Sequence, residues 1–200
     1  MESEEIKTTT PKERIGPLTV VTHVTPSHGA DRFEAVTPEQ RDAIVWRWPA
    51  QALKRLSIPG FAHLIDTLRD VELAGVAQVL HGSVATDHAV IAFTRPAGEP
   101  LREYLQHGKT SPLEAVTSVL TLLDALLALR SLGIRGAWWT PSTLWVTEDE
   151  AQWTLGAPGL TSTLRITEPA SLEEVAFRAP ELSGLEELSE LEDQAYAAVA

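Results

Sequence analysis

Apolar and polar positions change rhythm along this chain, and the change divides it in two. From Gly16 to Phe93, short runs rich in β-branched residues are separated by turn residues. Leu18-Thr19-Val20-Val21-Thr22-His23-Val24, the turn Pro26-Ser27-His28-Gly29, and the alternating Arg32-Phe33-Glu34-Ala35-Val36 predict a hairpin. Ala43-Ile44-Val45-Trp46-Arg47-Trp48, stopped by Pro49, predicts a third strand. Gly60 and Phe61 open a helix with Phe61, Leu64, Ile65 and Leu68 on one face, leaving His63, Asp66 and Arg69 to face elsewhere. Val76 to His81 and His88 to Phe93 read as a fourth and a fifth strand, so the first half runs β-β-β-α-β-β.

After the breaker run Pro96-Ala97-Gly98-Glu99-Pro100 the rhythm becomes helical. Leu101, Tyr104 and Leu105 predict a short helix closed by Gly108. Ser111-Pro112-Leu113-Glu114 is a capping box with proline at the first helical position. Behind it Val116, Val119, Leu120, Leu123, Leu126 and Leu127 recur at three and four, widened by Leu122 and Leu129, until Gly133 supplies a stop. A stripe that wide predicts a largely buried helix. Two strand-like lines follow, Ser142 to Thr147 and Gln152 to Leu155, around the acidic turn Glu148-Asp149-Glu150, and then Gly156-Ala157-Pro158-Gly159. Farther on, Glu181, Glu186, Glu187, Glu190, Glu192 and Asp193 flank Leu185, Leu188 and Leu191, the pattern of a solvated helix face.

These patterns predict an α+β organisation: a flexible tail over 1–15, a strand-rich lobe over 16–95, a hinge over 96–100 and a mainly helical lobe over 101–200. The final Ala195 to Ala200 is apolar and lacks a stop signal, so the second lobe is expected to be partial.

Composition narrows the chemistry. With 44% hydrophobic residues in 200, the chain can bury a sizeable core. It has no cysteine, which removes disulfides, thiolate metal sites and a cysteine nucleophile. A net charge of -12 with sixteen scattered Lys and Arg argues against nucleic acid as a partner and for another protein or domain. No run is long and apolar enough to span a bilayer and the first thirty residues lack a signal-like segment, so a cytoplasmic protein is expected. The six histidines form no i, i+4 pair and suggest no metal site, and no Gly-x-Ser-x-Gly elbow occurs.

The element order resembles a protein kinase domain. Ala89 to Phe93 followed by Thr94-Arg95-Pro96-Ala97-Gly98 is similar to that family's fifth strand and hinge, and Glu99-Pro100-Leu101-Arg102-Glu103-Tyr104-Leu105 to the helix after it. Leu132-Gly133-Ile134-Arg135-Gly136-Ala137 stands where the catalytic loop would follow the long helix. Pro141-Ser142-Thr143-Leu144-Trp145-Val146 is similar to the Pro-x-Asn-Ile-Leu-Val continuation, and Ala179-Pro180-Glu181 to the Ala-Pro-Glu motif. The resemblance implies a two-lobed fold of the serine/threonine protein kinase superfamily, with a five-stranded antiparallel sheet and one helix in the first lobe.

The departures from the family are chemical. Phosphoryl transfer there needs a Gly-rich loop, a third-strand Lys held by a helix carboxylate, a catalytic Asp, a metal-binding Asn and a second metal-binding Asp. Here the hairpin turn offers one glycine, Gly29; the third-strand position falls on Trp46 or Arg47; Asp66 is the nearby helix carboxylate. The catalytic Asp position holds Ala137, the Asn position Thr143, and Asp-Phe-Gly appears as Ala157-Pro158-Gly159. The implied protein is a pseudokinase, a regulatory or scaffolding module with no required cofactor, although ATP could bind without turnover through Arg47. The rival reading is a weak phosphotransferase in which Arg47 contacts phosphate and a displaced carboxylate such as Asp149 holds metal. Trp138 and Trp139 are either contacts for a partner or ordinary packing residues.

Overall fold

The computed structural model describes residues 13–27, 29–107, 111–134, 141–147 and 152–164. Its first half contains strands β1 (Arg14–Ile15), β2 (Leu18–Ser27), β3 (Ala30–Val36), β4 (Asp42–Pro49), β5 (Val79–Val84) and β6 (His88–Thr94). They form one antiparallel sheet in the order β1-β2-β3-β4-β6-β5. The sheet therefore has six strands where the pattern predicted five. The addition, β1, is two residues paired to β2 around Gly16, which takes a positive φ of 58°. A strand that short has no alternation to read. It also draws Arg14 and Ile15 out of the expected tail and into the sheet.

The sheet curls until its edges meet. A side chain on Gly16, in the β1–β2 turn, would stand 2.7 Å from the ring of His81 on β5. Curling gives the sheet two buried faces. Ile15, Leu18, Val20, Phe33, Val45 and Val90 fill the inside. Ala30, Ile44, Trp46, Trp48, Ile91 and Phe93 belong to a second cluster on the outside.

Helix α1 (Ile58–Leu68) covers that outer face with Phe61, Leu64, Ile65 and Leu68, the four positions its spacing predicted. Each such side chain, fully buried, contributes about 1.5–3 kcal/mol of hydrophobic stabilisation. Trp48 meets Phe61 edge-on with ring centres 5.5 Å apart, which fixes the helix against β4. A short 3-10 turn over Ala50–Arg55 links the two. The fourth strand starts later than predicted. Val76 and Ala77 instead reach across to Leu155, the latter through an amide that donates to the Leu155 carbonyl at 2.9 Å.

The second half begins with β7 (Glu99–Pro100) and helix α2 (Leu101–His107), followed by α3 (Pro112–Ser131), β8 (Leu144–Val146) and β9 (Trp153–Leu155). Strands β7, β8 and β9 form a small sheet in that order. Gly98 is required ahead of β7: its φ is 83°, and a side chain there would collide with the Val146 carbonyl. Helix α3 stops as its glycine predicts, with Gly133 at φ 78° and the Ile134 amide donating to the Leu129 carbonyl at 3.0 Å. Its burial differs from the expectation. The inward face is Ser118, Leu122, Ala125 and Leu129, whereas Leu113, Val116, Leu120 and Leu127 are exposed. Sequence spacing registered the width of the apolar stripe but not that β9 and the loop at Gly75 cover only one side of it. Among the described residues no helix is long and apolar enough to cross a membrane.

Candidate functional site

Strand β4 decides which side chains can meet beneath the sheet. Its period of two sends Ile44, Trp46 and Trp48 to the α1 side, where the same apolar cluster continues into Leu144, Trp145 and Leu155 of the small sheet. Ala43 and Val45 go to the inside of the curl. The two residues between which sequence left the third-strand position open thus face opposite ways. Trp46 faces α1 and the β8–β9 hairpin, stacked nearly parallel on Trp48 with ring centres 6.3 Å apart. Arg47 faces the opposite way.

The guanidinium of Arg47 donates to Glu13 Oε1 at 2.8 Å, approaches Asp31 Oδ2 at 3.5 Å, and lies 4.7 Å from the Phe33 ring centre. With Arg14, His81 and Ser83 it lines a cavity of about 560 Å³ at the open end of the curl. A phosphate contact by Arg47 would have to be made there, across the sheet from the hairpin. Asp66, the candidate helix carboxylate, is on the solvent side of α1, 4.0 Å from Arg69 and with its side chain 75% exposed.

The hairpin does bring two of the degenerate positions together. Leu144 pairs with Leu155 and Val146 with Trp153, and the Gly156 amide then donates to the Thr143 carbonyl at 2.8 Å. Thr143 and Ala157 consequently lie on adjoining segments beside Trp145. Gly156 is needed at this turn, because a Cβ there would stand 2.7 Å from the Trp145 indole nitrogen. Ala137, Trp138, Trp139, Asp149 and the acidic stretch from Glu181 to Asp193 lie outside the described residues. The Gly29 turn has φ 75°, and the Arg55 side chain lies 3.0 Å from where a Cβ would be, so only glycine suits this turn.

Between Trp46 above and Trp145 below are three charged residues that sequence reading passed over. The Arg32 guanidinium sits 4.4 Å from the Trp46 ring centre, and that of Arg95 sits 5.3 Å from Trp145. Glu34 joins the two sides, its carboxylate 3.7 Å from Arg95 Nε. Burial pulls the Arg32 guanidinium below its ordinary value, and the field of Glu34 pulls it back up. The signal was present in the chain: Arg32 and Glu34 are two apart on β3, directly across from Trp46 and Ile44 on β4. Among the described residues no group of three His, Asp or Glu side chains has the geometry to hold a metal ion.

Neither a family model nor a curated protein matches the sequence. Among solved structures, the crystal structure of Rad53 1-466 in complex with AMP-PNP matches with a TM-score of 0.58, over 70% of this chain. The fold is protein kinase-like. At 12% identity the likeness is one of fold alone, and the matched region is 37% of that chain's length. In this kinase-like fold the sheet and α1 make one layer, the small sheet and α3 another, and the run from Arg95 to Gly98 passes between them. Trp46 belongs to the apolar cluster shared by the two layers, Ala157 packs against it, and Thr143 adjoins Ala157 through the Gly156–Thr143 backbone bond.

Proposed function

We propose that this chain is a catalytically inactive kinase-like module, a pseudokinase that acts by binding another protein or other domains of a longer chain. The observation that carries this reading is Trp46. Trp46 stands on the face of β4 that shares its apolar cluster with α1 and the β8–β9 hairpin, and we take it as the counterpart of the lysine that phosphoryl transfer in the resembled family uses. Thr143 and Ala157, which lie beside each other, offer no carboxylate or amide to a metal ion. Each lost electrostatic contribution of this kind is worth several kcal/mol of transition-state stabilisation, so losing them together leaves no efficient route to transfer. Trp138 and Trp139 and the acidic run from Glu181 to Asp193 are the proposed contact surfaces for the partner.

The rival phosphotransferase reading draws on Arg47, and Arg47 is engaged with Glu13 and Asp31 on the far face. The test is phosphate transfer from labelled ATP, with magnesium or manganese, to the chain itself and to a generic protein acceptor. No transfer above the protein-free blank is expected. Transfer activity that co-elutes with the protein on size exclusion would overturn the proposal.

A further inference from the structure

Inside the curl of the sheet, apolar side chains give way to polar ones toward one end. Phe33, Val45 and Ala92 stand opposite one another across β3, β4 and β6 and are fully buried. The next row outward is Asp31, Arg47, Val90 and Ser83, again directly opposite one another. A closed small barrel fills such a row with packed side chains. Here the row borders the cavity of about 560 Å³, with Arg14 and Ile15 of β1 on its wall. That volume lies within the range of small-molecule sites, which combine an apolar lining with a few convergent polar groups. Ile15 and Val90, both buried, supply the apolar part. The charges pair off incompletely. Arg47 donates to Glu13 at 2.8 Å, and His88 lies 2.7 Å from Asp87 in a hydrogen bond. Asp31 is left with a 3.5 Å contact to the already engaged Arg47, and the Arg14 side chain has no ion pair among the described residues. Arg14 and Asp31 thus line one cavity with opposite charges and are not paired to each other.

We propose that the cavity at the open end of the curl binds a zwitterionic α-amino acid with an apolar side chain, its carboxylate on Arg14, its ammonium on Asp31 and its side chain against Ile15 and Val90. A ligand with a single charge gains at one of the two residues and is repelled at the other, whereas a zwitterion gains at both. Charge-assisted hydrogen bonds at its two ends fix its orientation. Ser83 adds an uncharged donor and acceptor to the wall. The site is on the side of the sheet away from α1 and the hairpin, so it stands whether or not the chain transfers phosphate.

The experiment titrates the full chain with L-phenylalanine and with L-leucine and follows its backbone amide resonances by NMR. Saturable shifts are expected at Asp31, Ser83 and Val90, with a parallel rise in the unfolding midpoint. Hydrocinnamate and phenethylamine, which keep the ring and one charge each, should bind about tenfold or more weakly than L-phenylalanine. Glycine, with no side chain for Ile15 and Val90, should also bind more weakly. Arg14→Gln and Asp31→Asn should each weaken binding by about tenfold or more, as expected for a charge-assisted hydrogen bond. Ser83→Phe should abolish it by filling the cavity without removing a charge. Asp66→Asn, on the solvent side of α1, should leave the titration unchanged. The unfolding midpoint of each variant without ligand shows that it folds. Absence of saturable shifts with both amino acids, equal binding of either single-charge analogue, or an unaltered titration in Arg14→Gln and Asp31→Asn would refute the site.

Discussion

Single residues show where the sheet's near-closure depends on protonation. His81 stands at the seam between β5 and the β1–β2 turn, against Gly16. Its imidazole is held below the usual histidine range, first because burial disfavours the charged form and second because Arg69 is close. The folded state therefore binds a proton at His81 more weakly than the unfolded state does. Above the ordinary histidine value of about 6.5 the ring is neutral in both states and has no effect; as pH falls through that value, the unfolded chain takes up the proton first and stability declines. The decline ends only below the folded-state value. Asp87, held low by its hydrogen bond to His88, acts in a lower window, where protonating it costs stability. Thermal midpoints measured between pH 7.5 and 5.5 should fall, and His81→Gln should flatten that fall. Parallel curves for the two proteins would assign the effect to other groups. Residue scale is also where sequence reading was least complete. Alternation along β4 separated Trp46 from Arg47, but both faces of the strand are buried, so polarity could not say which face looked toward the hairpin. Arg32 escaped notice because a lone arginine in a strand reads as a solvent-facing residue until its neighbour across the sheet is known to be Trp46.

Elements were more legible than sites, because an element needs only a period and a stop. The long strands, α1 and α3 announced themselves through β-branched runs, three-and-four spacing, a capping box and Gly133. The two-residue strands β1 and β7 did not, being too short to have a period; β7 lies within a run that reads as a simple breaker. How tightly α1 sits on the sheet was also beyond the sequence. Gly82 on β5 explains it: an added Cβ would meet three Ile65 side-chain atoms, Cγ1, Cγ2 and Cδ1, at 2.7–2.8 Å. The glycine thus sets the distance between helix and sheet. Gly82→Ala should destabilise by about 1–3 kcal/mol through overpacking, and Ile65→Ala alone by about 2–5 kcal/mol through the cavity it leaves. In the double variant the new methyl enters space that Ile65 vacated, so urea denaturation should show less destabilisation than the sum of the two. Strict additivity would mean that the two residues do not share that space.

At the scale of the whole molecule, the question is whether sheet and helical regions behave as two bodies or one. A hinge run such as Pro96-Ala97-Gly98 suggests independence, but the interface suggests the opposite. One apolar cluster runs from Trp48 and Phe61 through Leu129 and Trp145 to Leu160 and Leu164 without a polar break. Backbone pairing crosses the same boundary twice: the Ser57 amide donates to the Thr163 carbonyl at 2.7 Å, and Leu155 exchanges bonds with Gly75 and Ala77 at 2.8 and 2.9 Å. These contacts tie the start of α1 and the loop before β5 to the segment that carries Ala157. Gly159 adds to the tie, since a side chain there would run into Ile134 and Leu64 together, one from each region. Neither region can lose its fold without exposing apolar surface of the other, which is the condition for cooperative unfolding. Urea denaturation followed by far-ultraviolet circular dichroism and by tryptophan fluorescence should therefore give one coincident transition. Leu160→Ala, at the centre of the tie, should shift both signals together by about 2–5 kcal/mol. Separate midpoints, with the sheet surviving the loss of Leu160, would show instead that the hinge divides the molecule into independently stable parts.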